Sequence, residues 1–405
     1  MWTLTESVKS FVQAEREKIM SEHSEIAMES VPVQALKLRD SNLELLRIIA
    51  MLLIIAHHFV VNSGLMAAEG PIYKDPLSWR SLFLMVFGAW GKIGINCFVM
   101  ITGYFMCTSN ITAKKFMKLL FEAMFYKLVI YLIFWITGYE AFTVTGFLRV
   151  MIPIRNISND FLNAFLLFYL LIPFLNILVQ HLREKQHVFL ILWCGFTYIF
   201  LGTVPGFSVR MNYVSWFCVL FVIASYIRLY PKKEYQNHKI WVRLTIVSVL
   251  LCVISVIACA WLSAKTNRML AFRFVSDSNT FLAVVTGVCL FMLFKNLNIR
   301  YSKFINTAAA SAFGVVLIHA NSDVMRRWLW VDTIDAAGHY NAPLMPLYAV
   351  GCVAAIYVVC MLIDQLRIRL IEKPFFMLWD RHWDSILARY KKIERDLFQK
   401  INVRE

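Results

Sequence analysis

Long apolar segments separated by short polar stretches dominate the chain, and their length gives the first prediction. A helix that crosses a bilayer needs about 20 mostly apolar residues. Segments of roughly that length cover 43–62, 80–105, 116–137, 161–180, 187–203, 212–230, 240–262, 278–295, 304–322 and 345–369. The pattern therefore predicts an all-α fold, a polytopic membrane bundle of about ten transmembrane helices. The second segment contains Gly88, Gly91, Gly94 and Gly103, which predicts a break or kink within it.

The composition supports a membrane protein and argues against two other classes, proteins that bind nucleic acid and proteins with a cysteine metal site. Hydrophobic residues make up 59% of the chain and charged residues only 17%. The net charge of +15 is spread between the apolar segments and the tails rather than gathered in one patch, so nucleic acid is not an expected partner. The nine cysteines lie in or beside apolar segments without a CxxC pair. They predict buried apolar side chains and no metal site.

Basic residues in the loops predict the orientation. With a cytoplasmic N-terminus, the inner loops hold thirteen lysines and arginines and the outer loops hold ten. This excess predicts that both termini are cytoplasmic. The outer set contains eight arginines, the side chain that best binds carboxylates and phosphates. An anionic ligand outside is one interpretation, and ordinary ion pairs between loops are the other.

The same pattern divides the chain into three regions. Residues 1–40 are charged and helix-prone and predict a cytosolic helical tail rather than a signal peptide. Residues 41–376 form the membrane domain. Residues 377–405 predict an amphipathic cytosolic or membrane-surface helix, with a partner-binding helix as the alternative.

The first apolar segment, LELLRIIAMLLIIAHHF, holds four ionisable residues. Arg47 and His58 are eleven positions apart, which is three helical turns plus about 20°, so they share one face about 16 Å apart along the axis. Glu44 lies on the same stripe, whereas His57 points about 80° away from Arg47. Charges inside a span usually face a bundle interior or an aqueous cavity. The plainer interpretation is that Arg47 reaches the inner headgroups and that the histidine lies at the outer interface.

Other segments add candidates at comparable depth. Lys92 and Lys127 are expected near the middle of the membrane, where two cations need a counter-charge or an anionic ligand. A structural pair between Glu122 and a lysine is the plain alternative. His319 lies near the outer end of its segment, as His58 does, so two histidines at one depth are predicted to flank a reaction centre. A lone histidine there would more often be an interface residue.

Four motifs in order give a resemblance to a known family. They are the Arg47–His58 pair, GKIGINCFVMITGYF from Gly91, WFCVLFVIASYIR from Trp216, and GVVLIHANSDVMRRWLW from Gly314. Across about residues 37–376 the chain resembles the acyltransferase-3 family of integral-membrane surface-polysaccharide O-acyltransferases. The family often has aspartate where this chain has Asn96, and many members open the fourth helix with Trp-Phe, which is absent here.

The resemblance implies a function and a set of residues. It implies transfer of an acyl group, most simply acetyl, from acyl-CoA to a hydroxyl of a cell-surface or exported glycan, by a multi-pass protein of the plasma membrane. His58 is expected to be the base and Arg47 the donor-binding or orienting residue. The expected substrate- and donor-binding set comprises Glu44, Lys92, Asn96, Lys127, His319, Asn321 and Arg326. The expected partners are the bilayer, acyl-CoA and the glycan.

Two functions of other classes fit the same sequence. A transporter of a glycan or acyl intermediate would also have about ten helices, buried charges and a glycine-broken helix, although no inverted repeat is visible. A non-catalytic membrane scaffold that binds partners through its basic tails is the third hypothesis. It predicts that substitutions at Arg47 and His58 change nothing except stability.

Overall fold

The computed structural model describes residues 40–152, 154, 160–204, 206–207 and 212–401, and these contain helices and loops but no strand. The all-α prediction is therefore confirmed for this part of the chain. The predicted N-terminal tail, 1–40, lies outside the described residues except for Asp40.

Seventeen α-helices are found among the described residues. The first nine are α1 Ser41–Val61, α2 Pro71–Lys74, α3 Trp79–Gly88, α4 Gly91–Met106, α5 Ala113–Ile136, α6 Val144–Met151, α7 Phe161–His181, α8 Glu184–Cys194 and α9 Leu201–Thr203. The others are α10 Tyr213–Leu229, α11 His238–Thr266, α12 Phe281–Lys295, α13 Lys303–Ala310, α14 Ala312–His319, α15 Asp323–Arg327, α16 Met345–Arg367 and α17 Lys373–Ile401. A 3₁₀ turn covers Lys233–Gln236, and π-helical turns cover Gly195–Phe200, Trp328–Thr333 and Ile368–Glu372.

Seven helical segments of the described chain are long and apolar enough to cross a membrane. An eighth arises if Lys303–His319 and Asp323–Thr333, which meet at an angle of 93°, form one broken span. Tyr213–Leu229 and Phe281–Lys295 are apolar but shorter. The chain is thus a multi-pass membrane protein, while the count of ten spans and the cytoplasmic position of both termini stay predictions.

The glycines of the second apolar segment allow two helices to touch. The segment is interrupted at Ala89 and Trp90, between α3 and α4, and α4 packs against α1. A Cβ at Gly91 would lie 2.4 Å from Cβ of His57, and one at Gly94 would lie 2.6 Å from the carbonyl oxygen of Ala50. Distances this short are sterically forbidden, so glycine is required here for close packing. The contact fixes the depth of α4 relative to the histidines of α1.

Asn96 organises the centre of the bundle. Its Nδ2 donates to the carbonyl oxygens of Ser278 (2.7 Å) and Ala283 (3.2 Å). Its Oδ1 accepts a 3.0 Å hydrogen bond from Nε1 of Trp216. Buried polar groups are stable only when hydrogen-bonded, and Asn96 is fully buried. The residue therefore ties α4 to α10 and to the start of α12.

A buried ionic cluster joins α5 to the end of α16. The Arg367 guanidinium lies 2.8 Å from Asp364, 2.6 Å from Glu372 and 3.2 Å from Glu122. Tyr126 donates a 2.8 Å hydrogen bond to Asp364. The structure thus pairs Glu122 with an arginine from the last spanning helix, a partner that the sequence did not suggest. Removing one member of such a cluster leaves uncompensated charge in the bundle.

Candidate active site

A cavity of about 700 Å³ lies at the His58 end of α1. It is bounded by α1, α4, α5, α6, α7 and α10 and by the segment from α14 to α15. Several of its polar side chains were predicted as site residues. These are His58, Lys92, Lys127, Asn321 and Arg326. Residues with numbers from 58 to 326 therefore meet around one cavity. Its volume is large enough for a small organic group and part of a sugar.

The end of α14 places a second histidine against His58. His319 is fully buried, and its Nε2 lies 3.1 Å from Nδ1 of His58. Nδ1 of His319 lies 2.6 Å from the carbonyl oxygen of Val315, one helical turn earlier. His58 itself is half-buried and lines the cavity. The sequence predicted that the two histidines flank a reaction centre, and in the structure their rings are in direct contact.

When both imidazole rings are neutral, these two contacts determine which nitrogen of His58 and of His319 carries the proton. A carbonyl oxygen can only accept, so Nδ1 of His319 carries a proton and its Nε2 carries a lone pair. Nδ1 of His58 must then donate to that lone pair. Nε2 of His58 is left as an unprotonated nitrogen on a ring that faces the cavity, which is the state required of a general base.

His57 also lines the cavity but has different partners. Its Nδ1 donates a 2.7 Å hydrogen bond to the carbonyl oxygen of Gly88, and its ring lies against Gly91. The helical projection predicted that the two adjacent histidines face different sides, and it did not predict that both reach the same cavity. Their separate hydrogen bonds indicate separate roles.

Cationic groups surround the histidine pair. Nζ of Lys92 donates a 2.7 Å hydrogen bond to the hydroxyl of Tyr213 and lies 5.4 Å from the centre of its ring. Arg326 is 2.9 Å from Asp323 on α15. Lys92 and Arg326 both lie within electrostatic range of His58. Lys127 also lines the cavity.

The segment after His319 shapes the wall of the cavity. Nδ2 of Asn321 donates a 2.9 Å hydrogen bond to the carbonyl oxygen of Leu317, which holds the turn after α14. Ser322 caps α15 through a 3.1 Å hydrogen bond from the backbone N–H of Met325. This cap sets the sharp bend between the two arms of the broken helix and places Arg326 beside the histidines.

Four predicted residues do not line this cavity. His319 is one of them, and it reaches the site only through its contact with His58. Glu44 and Arg47 lie at the opposite end of α1, where their side chains form a 3.3 Å ion pair. The Arg47 guanidinium is also 5.6 Å from the centre of the Phe98 ring. Arg47 and His58 are eleven positions apart, which corresponds to about 16 Å along the helix axis. Asn96 is buried between helices, and its amide is occupied by the hydrogen bonds given above.

Sequence reasoning missed several residues of the cavity. Tyr131, Glu140, Arg149 and Asp160 belong to it, as does Tyr213. Tyr213 stands three positions before the Trp216-Phe217 motif, directly after its helix cap Asn212, and that proximity was the available signal. Arg149 lies between two predicted membrane segments and is one of the eight outer arginines, and α6 brings it to the cavity. Within the described residues, no group of three or more potential ligands could hold a metal ion.

Comparison with known proteins gives the family. No curated protein and no solved structure matches the chain significantly. The sequence profile of the acyltransferase-3 family, described as an acyltransferase domain, matches residues 40–364 and so includes α1, α4, α10 and α14. Because this match covers most of the chain, the protein belongs to the acyltransferase-3 family.

Proposed function

We propose that the protein is a membrane O-acyltransferase that moves an acyl group, most simply acetyl, from acyl-CoA to a hydroxyl of a cell-surface or exported glycan. The family supplies the reaction type, acyl transfer. The observation that supports His58 as the base is the hydrogen-bonded series from Val315 through His319, which leaves Nε2 of His58 unprotonated beside the cavity.

The proposed reaction has two steps, and its atoms, charges and protons balance. Nε2 of His58 takes the proton of the acceptor hydroxyl while its oxygen attacks the thioester carbonyl, and a C–O bond forms. The C–S bond then breaks, and the proton held by His58 passes to the leaving thiolate to give free CoA. The products are the acylated glycan and CoA, so no oxidant, reductant or metal is needed.

The cations around His58 suit the charge that develops during this reaction. The tetrahedral intermediate carries a negative oxygen, and preorganised donors in a site that excludes water stabilise it most effectively. Lys92 with Tyr213, and Arg326, provide such donors at the cavity. Lys127 and Arg149 are placed to bind negative groups of either substrate.

Arg47 has a separate role in this proposal. It lies about 16 Å from His58 at the other end of α1, near Glu44. A donor that enters from that side would present its phosphates or pantetheine to the guanidinium and extend its thioester toward His58. Glu44 would then hold the guanidinium in place until the donor binds.

One observation favours a transporter as the second candidate. The two arms Lys303–His319 and Asp323–Thr333 meet at 93° beside His319, and broken helices of this kind form substrate sites in many transporters. An assay of the purified protein in detergent distinguishes the two functions, because no compartments exist there. An acyltransferase retains turnover there, whereas a transporter has no measurable flux.

The decisive experiment compares surface glycans from a deletion strain complemented with wild type or with His58→Ala, measured by mass spectrometry. Acylation should return with wild type and be absent with His58→Ala at equal protein abundance. His382→Ala, at an exposed position of α17, is the matched control and should restore acylation fully. Full acylation by His58→Ala would exclude His58 as the base.

A further inference from the structure

The last helix continues past the membrane domain along α5. Three ion pairs join α5 in antiparallel order to the end of α16, the following π-helical turn and α17: Arg367 with Glu122 at 3.2 Å, Lys118 with Glu372 at 2.6 Å, and Lys114 with Asp380 at 2.6 Å. The Phe121 and Phe375 rings stack at 4.7 Å between them. These contacts direct the helix along the axis of α5 as far as Asp380, rather than across the membrane surface.

The helix then extends beyond its neighbour. Helix α5 begins at Ala113, one residue before the last of these ion pairs, whereas α17 continues to Ile401. The 39 residues Met345–Trp383 already exceed the roughly 20 that cross a bilayer. The 18 residues after Trp383 therefore add about 27 Å of helix outside the hydrocarbon core.

This extension has an apolar seam with coiled-coil spacing. Apolar residues recur at intervals of four, three, four, three and four positions, which matches the a and d positions of a heptad repeat. They are Trp379, Trp383, Ile386, Tyr390, Ile393 and Leu397. Tyr390 is 60% and Ile393 64% exposed, so this part of the seam lacks cover within the described chain.

We propose that the segment 383–401 pairs in parallel with the same segment of a second copy and makes the protein a homodimer. Both copies insert into one membrane with the same orientation, so two such helices can only run parallel. The charges flanking the seam fit this arrangement, since Arg389 at a g position meets Glu394 at the e position of the second copy. The neighbouring g positions, His382 and Asp396, meet the apolar Leu387 and Ile401, so no like charges oppose each other at the flanking positions. The apolar seam ends at Leu397, because the next core position is Lys400.

The test is the mass of the full-length protein in mild detergent by light scattering, repeated in liposomes by counting photobleaching steps. Wild type should be a dimer. Ile393→Asp places a charge in the seam and should weaken the dimer at least tenfold. Ala388→Asp puts the same charge at an f position, on the far side of the helix, and should leave it intact. Circular dichroism and thermal unfolding verify that each variant is folded.

A charge exchange tests the pairing itself. Arg389→Glu alone opposes Glu394 of the second copy and should weaken the dimer severalfold, whereas Arg389→Glu with Glu394→Arg should restore it. A monomeric wild type, or a dimer unaffected by Ile393→Asp, would overturn the proposal.

Protection of Tyr390 and Ile393 from hydrogen exchange in a monomer would also overturn it and would show that something other than a second copy covers the seam. Protection that needs residues 1–39 would identify the chain's own N-terminal segment, and protection that needs anionic vesicles would identify a lipid surface.

Discussion

Nδ1 of His58 on α1 and Nε2 of His319 at the end of α14 are 3.1 Å apart, although 261 residues separate them in the chain. The contact joins two family motifs, and the carbonyl oxygen of Val315 fixes the proton of His319 at Nδ1. The pair thus holds the tautomer of His58 as well as its orientation.

The first prediction concerns the partner of His58. In His319→Gln the side-chain oxygen can still accept from Nδ1 of His58, whereas His319→Met offers no such acceptor. Loss of the tautomer should lower kcat of His319→Met by about 10²–10⁴-fold, the usual range for general-base catalysis, and His319→Gln should retain much more activity. Initial rates with acyl-CoA and the native acceptor measure both. Equal losses in the two variants would reduce His319 to a packing role.

The second prediction concerns the pair of Lys92 and Tyr213. Tyr213→Phe removes the hydroxyl that accepts from Lys92 and should lower kcat about tenfold or more with little change in KM, since the proposed role of this group is to stabilise the developing oxyanion. Lys92→Met should have a similar effect. The double variant should lose less than the product of the two single losses, because the residues act as a unit. Independent losses would show that the two side chains do not cooperate.

The third prediction concerns the donor. Arg47→Met should raise KM for acyl-CoA about tenfold or more, through loss of a charge-assisted contact, while kcat falls less. Arg47→Lys keeps the charge but loses the planar donor geometry, so it should be intermediate. Steady-state kinetics at varied acyl-CoA separates the two parameters. A fall in kcat alone would place Arg47 in the chemical step rather than in binding.

The fourth prediction concerns the contact of α4 with α1. Gly94→Ala forces a methyl group to within 2.6 Å of the carbonyl oxygen of Ala50 and should lower the free energy of unfolding by about 1–3 kcal/mol. Gly351→Ala is the control, because a Cβ there meets no atom within 4 Å. Thermal unfolding in detergent compares them. If Gly94→Ala unfolds at the temperature of Gly351→Ala, the helices are not held as closely as described.

The fifth prediction concerns the ionic cluster. Arg367→Met leaves the carboxylates of Glu122, Asp364 and Glu372 without their shared cation and should lower the free energy of unfolding by about 3–5 kcal/mol. Arg369→Met, two positions away and exposed, should change it by less than about 1 kcal/mol. Unfolding in denaturant measures the difference. Similar stability of the two variants would contradict a structural role for the cluster.

The sequence by itself determined that the protein is an all-helical membrane protein, and it identified Arg47 and His58 on α1 as candidate site residues. Hydropathy and segment length depend on residues close together in the chain, so they predicted an all-helical membrane protein and the positions of its helices. Helical periodicity placed Arg47 and His58 on one face of α1 for the same reason. The spacing of four motifs identified the family, which the sequence profile confirmed over residues 40–364.

The tertiary structure alone decided which side chains meet. It brought His319 to His58, gave Glu122 its partner Arg367 and put Asn96 between helices rather than at the cavity. It also added Tyr213, which no charge or motif had marked. Each of these contacts joins residues more than 100 positions apart. Their distances depend on how the helices pack and rotate against one another, and periodicity within a single helix contains no information about that packing.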